Sequence, residues 1–168
     1  MSKSQEFHIR LANLDDVDPI TEIFNEAILN TTASFYTEPR TSEQQLQWFY
    51  SHDDRHPILV AEINGVVVGW AGLSAWSDRP AYNDTAETSF YVKSEHQGQG
   101  IGRALKQAII EQARQLAFHT LIAGVAEESL ESFHLNTSFG FQQVGTLRQV
   151  GRKFGKLLDV HIFQLILD

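Results

Sequence analysis

No cysteine occurs in the 168 residues, and methionine occurs once, at Met1. The first absence excludes disulfides, thiolate metal centres and a cysteine nucleophile together. Proline is held to four residues, so no proline-rich linker or recognition tract exists. Basic side chains are outnumbered, 13 Lys and Arg against 21 Asp and Glu, for a net charge of −8. Such a chain has no basic field with which to collect nucleic acid or an anionic membrane. No stretch approaches the ~20 apolar residues of a membrane-spanning helix, and MSKSQEFHIR has no apolar leader. The expectation is a cytoplasmic protein of one domain, residues 1–168, with no metal. The triplets at Asn30, Asn83 and Asn136 read as chance glycosylation matches. His52-Asp53-Asp54-Arg55-His56 has metal-like content, but Arg55 interrupts it and no third ligand is near. It reads as a solvated loop.

Periodicity gives the elements. Phe7–Ala12 is a strand. Residues 14–29 space Val17, Ile20, Ile23, Phe24, Ala27 and Ile28 as a helix, with Asn13 as its cap. Thr41 and Gln44 form a capping box for a second helix that is expected to bury Leu46 and Phe49. Pro57–Glu62 and Val66–Leu73 are strands joined at Asn64-Gly65, a strong hairpin signal. Residues 84–92 form a further strand. Residues 100–116 form a helix with Ile101, Leu105, Ala108, Ile109 and Leu116 on one side. Thr120–Val125 is a strand, 129–138 a helix ending at Gly140, and Phe141–Val150 and Leu157–Leu167 are closing strands. The order β-α-α-β-β-β-α-β-α-β-β implies an α/β (α+β) fold with a mixed sheet flanked by helices.

What stands out among these elements is the turn Gln97-Gly98-Gln99-Gly100-Ile101-Gly102, between a strand and a helix. Its glycines let backbone approach a ligand, and the helix start aims free amides and a positive dipole end at it. A phosphate or pyrophosphate is the natural ligand. The dinucleotide fingerprint fails, because the sixth position counted from Gly98 is Arg103. No Walker ending and no Gly-x-Ser-x-Gly elbow is present.

The pattern Gln-x-x-Gly-x-Gly after a strand carrying a glutamate resembles the acetyl-CoA pyrophosphate loop of the GNAT N-acetyltransferase superfamily. Thr85-Ala86-Glu87-Thr88-Ser89-Phe90-Tyr91-Val92, the early Ala33-Ser34-Phe35-Tyr36-Thr37-Glu38-Pro39 and the late Gly151–Val160 segment with Gln164 resemble its phosphinothricin / methionine sulfoximine acetyltransferase group. The resemblance implies a mostly antiparallel mixed sheet with about four helices and a splayed strand pair that binds acetyl-CoA. It also implies a homodimer. Acetyl-CoA would lie on the backbone of Tyr91 and Val92 and on Gln97, Gly98, Gln99, Gly100, Ile101, Gly102 and Arg103.

The residues themselves suggest the chemistry. Alternation puts Thr85, Glu87, Ser89 and Tyr91 on one face of their strand and Ala86, Thr88, Phe90 and Val92 on the other. With the second set in the core, Glu87 faces a cleft as a general base. The resemblance gives it that role. Ser132 matches the relatives' pattern before the final Gly-Phe, while Ser129 and Asn136 replace its usual Asn and its usual His or Tyr. An amide can hydrogen-bond the cofactor but cannot donate a proton to the leaving thiolate. His134 should point elsewhere on the helix. The resemblance places the acceptor near Phe35, Tyr36, Trp76, Arg79, Tyr82, Lys153 and Phe154, with Arg79 as partner for a carboxylate. The function implied is acetyl transfer to a small amino-acid-like amine, directly in a ternary complex. An acetyltransferase for a protein N-terminus, polyamine or antibiotic, and a silent acyl-CoA sensor, remain as alternatives.

Overall fold

In the computed structural model, which describes residues 5–168, the chain runs β1 (His8–Leu11), α1 (Val17–Asn30), α2 (Ser42–Tyr50), β2 (Ile58–Ile63), β3 (Val66–Ala75) and β4 (Thr85–Val92). It continues with α3 (Ile101–Gln115), β5 (Thr120–Ala126), α4 (Leu130–Ser138), β6 (Gln142–Lys153) and β7 (Lys156–Ile166). Asn13 does cap a helix start, but of a separate short turn. Its side chain accepts from the Asp15 amide while Asp16 accepts from the Asn13 amide, so Leu14–Asp16 forms a 3-10 turn ahead of α1. The Thr41–Gln44 box is present in both directions, at 3.2 and 3.0 Å.

The buried stripe of α2 differs from the expected one by a residue. Gln45 is buried, Trp48 and Phe49 pack against the core, and Leu46 is 38% exposed. Positions 45, 48, 49 and 52 recur at helical spacing and face inward together, which leaves 46 to solvent. At the β2–β3 hairpin, Asn64 and Gly65 both take positive φ (49° and 79°), as a two-residue turn matched to strand twist requires.

All strands join one seven-stranded sheet in the order β1-β2-β3-β4-β5-β7-β6. Among the described residues only β4 and β5 pair in parallel. The sheet carries a different apolar cluster on each face, because alternate residues of each strand point opposite ways. Leu59, Ala61, Leu73, Ala86 and Leu121 pack under α3 with Leu105 and Ile109. Ile58, Val60, Val67 and Trp70 pack under α1 with Ile20, Ile23 and Phe24. β6 is an edge strand that extends three residues beyond the expected Val150, and Val144, Leu147 and Val150 stand exposed on it.

The β4–β5 pair holds register at Thr85↔Thr120, Ala86↔Leu121 and Glu87↔Ile122 and goes no further. From there β5 follows β7 while β4 stays with β3 as far as Gly69↔Val92. The two parallel strands therefore part beside Glu87, and the sheet opens into a cleft.

Candidate active site

The cleft is a cavity of about 620 Å³ where the two strands part, and it reaches both faces of the sheet. Glu87, Ser89 and Tyr91 line it with Phe24, Tyr36, Trp48 and Trp70 of the α1–α2 face. Thr88, Phe90 and Lys106 line it with Ser129, Ser132 and Asn136 of the α3–α4 face. The alternation expected for β4 is thus the observed one.

Burial raises the Glu87 carboxyl above the ordinary glutamate value, and no cation or hydrogen bond opposes that shift. A carboxylate in such a place is a stronger base than a solvated one, and it suits proton abstraction from an amine. Tyr91 stands near it. Its hydroxyl donates to the Ala33 carbonyl at 3.2 Å, and burial pushes its pKa up to about 12, so it stays protonated.

Backbone direction along β4 corrects one expected donor. The Lys93 amide donates to the Val68 carbonyl of β3 at 2.9 Å. Alternate residues of an antiparallel strand send their amides to opposite sides. Tyr91 therefore directs its amide into the β3 ladder opposite Trp70, and it is not available to a ligand. Phe90 and Val92 direct theirs to the side that β5 has left. The Val92 carbonyl on that side accepts from the Gln97 side chain at 3.1 Å. The free donors of the splay are Phe90 and Val92.

Gly98 and Gly100 take left-handed φ of 74° and 85°, which side chains with a Cβ adopt only under strain, and the space beside each is open. Gly100 caps α3 without a side-chain hydrogen bond, so the first amides of the helix are unclaimed by its cap. Gly102 serves packing instead. A Cβ there would meet the Phe90 ring at 3.2 Å. Ile101 sinks its side chain into the core at 1% exposure, which leaves only its backbone for a ligand. Gln99 is exposed. Arg103 donates to the Ser138 hydroxyl at 3.0 Å and lies over the Phe139 ring, so it bridges α3 to α4. Open glycines and an uncapped helix start fit a pyrophosphate, and two unpaired strand amides fit an amide-bearing arm.

Phe35 and Tyr36 reach the cavity as expected, but much of the rest of the expected acceptor set does not. Trp76, Arg79 and Tyr82 lie outside its lining. They belong to the loop beyond the Ala75↔Ala86 pair, which carries them past the sheet's end into solvent. Lys153 is buried outside the cavity lining, and its ammonium donates to the Ser34 carbonyl at 2.6 Å, so it pins the β6–β7 hairpin to the Phe35 loop. Phe154 turns out to be 58% exposed at the hairpin tip, with φ 50°. His52 departs from its loop reading. Its Nδ1 donates to the Trp48 carbonyl at 2.8 Å, and it lines the cavity. Phe24, Gln45, Trp48, His52, Trp70 and Lys106 are lining residues that the sequence did not single out.

Gly151 of β6 lies against Phe35. A Cβ there would overlap the ring. Gly151→Ala should push Phe35 out of the lining, raise the acceptor KM several-fold and leave acetyl-CoA affinity unchanged. Steady-state kinetics with each substrate varied in turn checks this.

Comparison with known proteins agrees with this geometry. The model of the acetyltransferase (GNAT) family matches residues 20–141. An L-methionine sulfoximine/L-methionine sulfone acetyltransferase of Salmonella typhimurium is 38% identical over 161 residues, covering 95% of this chain and 94% of that protein. The structure of yncA from Salmonella typhimurium with its cofactor acetyl-CoA superposes with a TM-score of 0.92 at 37% identity, covering 96% of this chain and 94% of the other. A ribosomal-protein-alanine N-acetyltransferase from Brucella melitensis superposes equally well, with a TM-score of 0.92 at 39% identity over 95% of this chain and 99% of the other.

Proposed function

Since the chain belongs to the GNAT acetyltransferase family, we propose that it transfers the acetyl group of acetyl-CoA to the amine of a small amino-acid-like acceptor. Methionine sulfoximine and methionine sulfone are the first candidates, by the Salmonella relative, and phosphinothricin joins them by the sequence resemblance. The observation that carries the reading is the position of Glu87, half-buried, unpaired and lining the cavity where β4 parts from β5.

The chemistry follows from the residues in place. The pyrophosphate rests on the backbone of Gly98 to Arg103, with Gln97 fixing the turn to Val92. Acetyl-CoA enters between β4 and β5, where the amides of Phe90 and Val92 are set to bond its arm and the thioester carbonyl. Their orientation exists before reaction, so no reorganisation is needed as charge develops. The acceptor amine comes from the α1–α2 face, framed by Phe24, Tyr36, Trp48 and Trp70. Glu87 takes a proton from it, directly or through a water, and the amine attacks the carbonyl. No covalent enzyme intermediate is required. Ser132 and Asn136 stand on the thiol side, where Asn136 presents a buried carbonyl oxygen with no partner.

The same reading takes residues 1–168 as one domain acting in the cytoplasm. It takes the protein as a homodimer, since the exposed apolar residues of β6 form an edge that a second copy covers. Trp76, Arg79 and Tyr82 then act from the rim.

A second reading keeps the chemistry and changes the acceptor to a protein N-terminus, which the Brucella neighbour's description favours. Release of coenzyme A is measured with methionine sulfoximine, methionine sulfone, phosphinothricin, spermidine and alanine-starting peptides. Turnover confined to the amino-acid analogues is the expected result. Turnover confined to peptides selects the second reading, and silence across the panel with acetyl-CoA still bound overturns both.

A further inference from the structure

Thr88 follows Glu87 on β4 and faces the opposite side of the sheet. Its hydroxyl accepts a hydrogen bond from the Lys106 ammonium of α3 at 2.7 Å. Lys106 is 1% exposed and lies over the Phe141 ring at 4.2 Å. It lines the same cavity as Glu87, Ser132 and Asn136. Among the described residues no acid bears on its titration, which burial alone shifts. β4 offers Thr88, the segment after α4 offers Phe141, and α4 offers Ser132 and Asn136 to the shared cavity. On its own helix, Arg103 is turned toward Ser138. Glu87 lies across the strand. Thus a carboxylate and an ammonium stand on opposite faces of one strand, at the point where that strand leaves its neighbour.

We propose that Lys106 is the catalytic residue that protonates the coenzyme A sulfur as the acetyl group departs. This rests on the acetyltransferase reading above. In the transfer a C–N bond forms and the C–S bond breaks, with its electron pair going to sulfur. The amine's proton goes to Glu87. Sulfur takes a proton from the Lys106 ammonium and leaves as the thiol, and solvent exchange restores Glu87 and Lys106 to their starting states. Asn136 suits the product, because its unpaired carbonyl oxygen accepts from S–H and offers nothing to a thiolate. Burial pushes the Lys106 pKa down to about 7, which lets it give up a proton near neutrality. A fully solvated lysine would hold it.

The test needs no acceptor. Coenzyme A is bound to the wild-type protein, to Lys106→Met and to Lys106→Gln, and the thiolate is followed by its ultraviolet absorbance across pH. A neighbouring ammonium favours the thiolate, whereas apolar burial disfavours it. Thiolate and ammonium stabilise each other, so thiolate should appear in the wild type at a lower pH than in either variant. Steady-state turnover with whichever amine the protein accepts should lose its alkaline decline in both variants, while melting temperatures show them folded. If a variant binds coenzyme A and titrates like the wild type, or if the wild type binds none, the proposal is overturned. A wrong acceptor leaves the thiolate result standing, so the two readings fail separately.

Discussion

Glu87→Gln should lower kcat by about 10²- to 10⁴-fold, the usual contribution of a positioned base, and leave acetyl-CoA affinity unchanged. Glutamine keeps the shape and a hydrogen-bonding oxygen but cannot accept the proton. The side chain has no ion-pair or hydrogen-bond influence on its titration, so removing its charge strands no partner. Folding should be unimpaired, and a buried carboxyl's desolvation cost is relieved. The pH profile carries a second signature. Burial raises the Glu87 pKa, so the carboxylate form is reached at a higher pH than for an exposed glutamate. Wild-type kcat should climb as pH rises through that value, and the residual rate of the variant should lack this limb. Calorimetric titration of acetyl-CoA into both proteins, beside kinetics over a pH series, makes the comparison. Unchanged turnover with intact binding would remove Glu87 from the base role.

Lys106→Met should have the largest effect on stability, and in the favourable direction. The lysine pKa falls from 10.5 to about 7 in the folded protein because burial penalises the ammonium. At 1.36 kcal/mol per pH unit, this sets an upper limit of about 5 kcal/mol on the cost of burying the group near pH 7. The folded pKa lies below the unfolded one, so the unfolded chain binds the extra proton between those values. Wild-type stability at this site should therefore rise as pH climbs from about 7 to 10.5, and below that window the full cost persists. Methionine fills a similar volume with no charge to desolvate. Denaturant unfolding should show the variant more stable by several kcal/mol near neutrality. The gap should narrow toward pH 10. A less stable variant, or a gap that does not depend on pH, would contradict the burial argument.

The parts of the molecule set by local rules were legible from sequence. Asn64-Gly65 required its turn, Thr41 and Gln44 required their box, and the alternation along Thr85–Val92 placed Glu87 on the cleft side. Readings that depend on a neighbour were harder. Whether Tyr91 or Phe90 offers a free amide depends on which strand lies on which side of β4, and side-chain alternation does not say. Lys106 follows Leu105 on an amphipathic helix, and nothing in the spacing marks it as buried. It is buried between Thr88 of β4 and the Phe141 ring, an event of tertiary structure. Arg79 carried the right chemistry for a carboxylate, but its loop runs past the end of the sheet. His52 looked solvated in a run of charges until the last turn of α2 drew it toward Trp48.

The two apolar clusters on opposite faces of the sheet also bear on how such a protein diversifies. In the function proposed above, contacts to the donor come from backbone and from the α3–α4 face, while the acceptor meets side chains of the α1–α2 face; the cavity lining has both sets, and β4 runs between them. Substitutions at Phe24, Tyr36 or Trp48 can exchange one amine for another without disturbing the machinery that delivers acetyl. Evolution, or a designer, can therefore retune this catalyst by editing one wall of a partition and leaving the other as a fixed power supply.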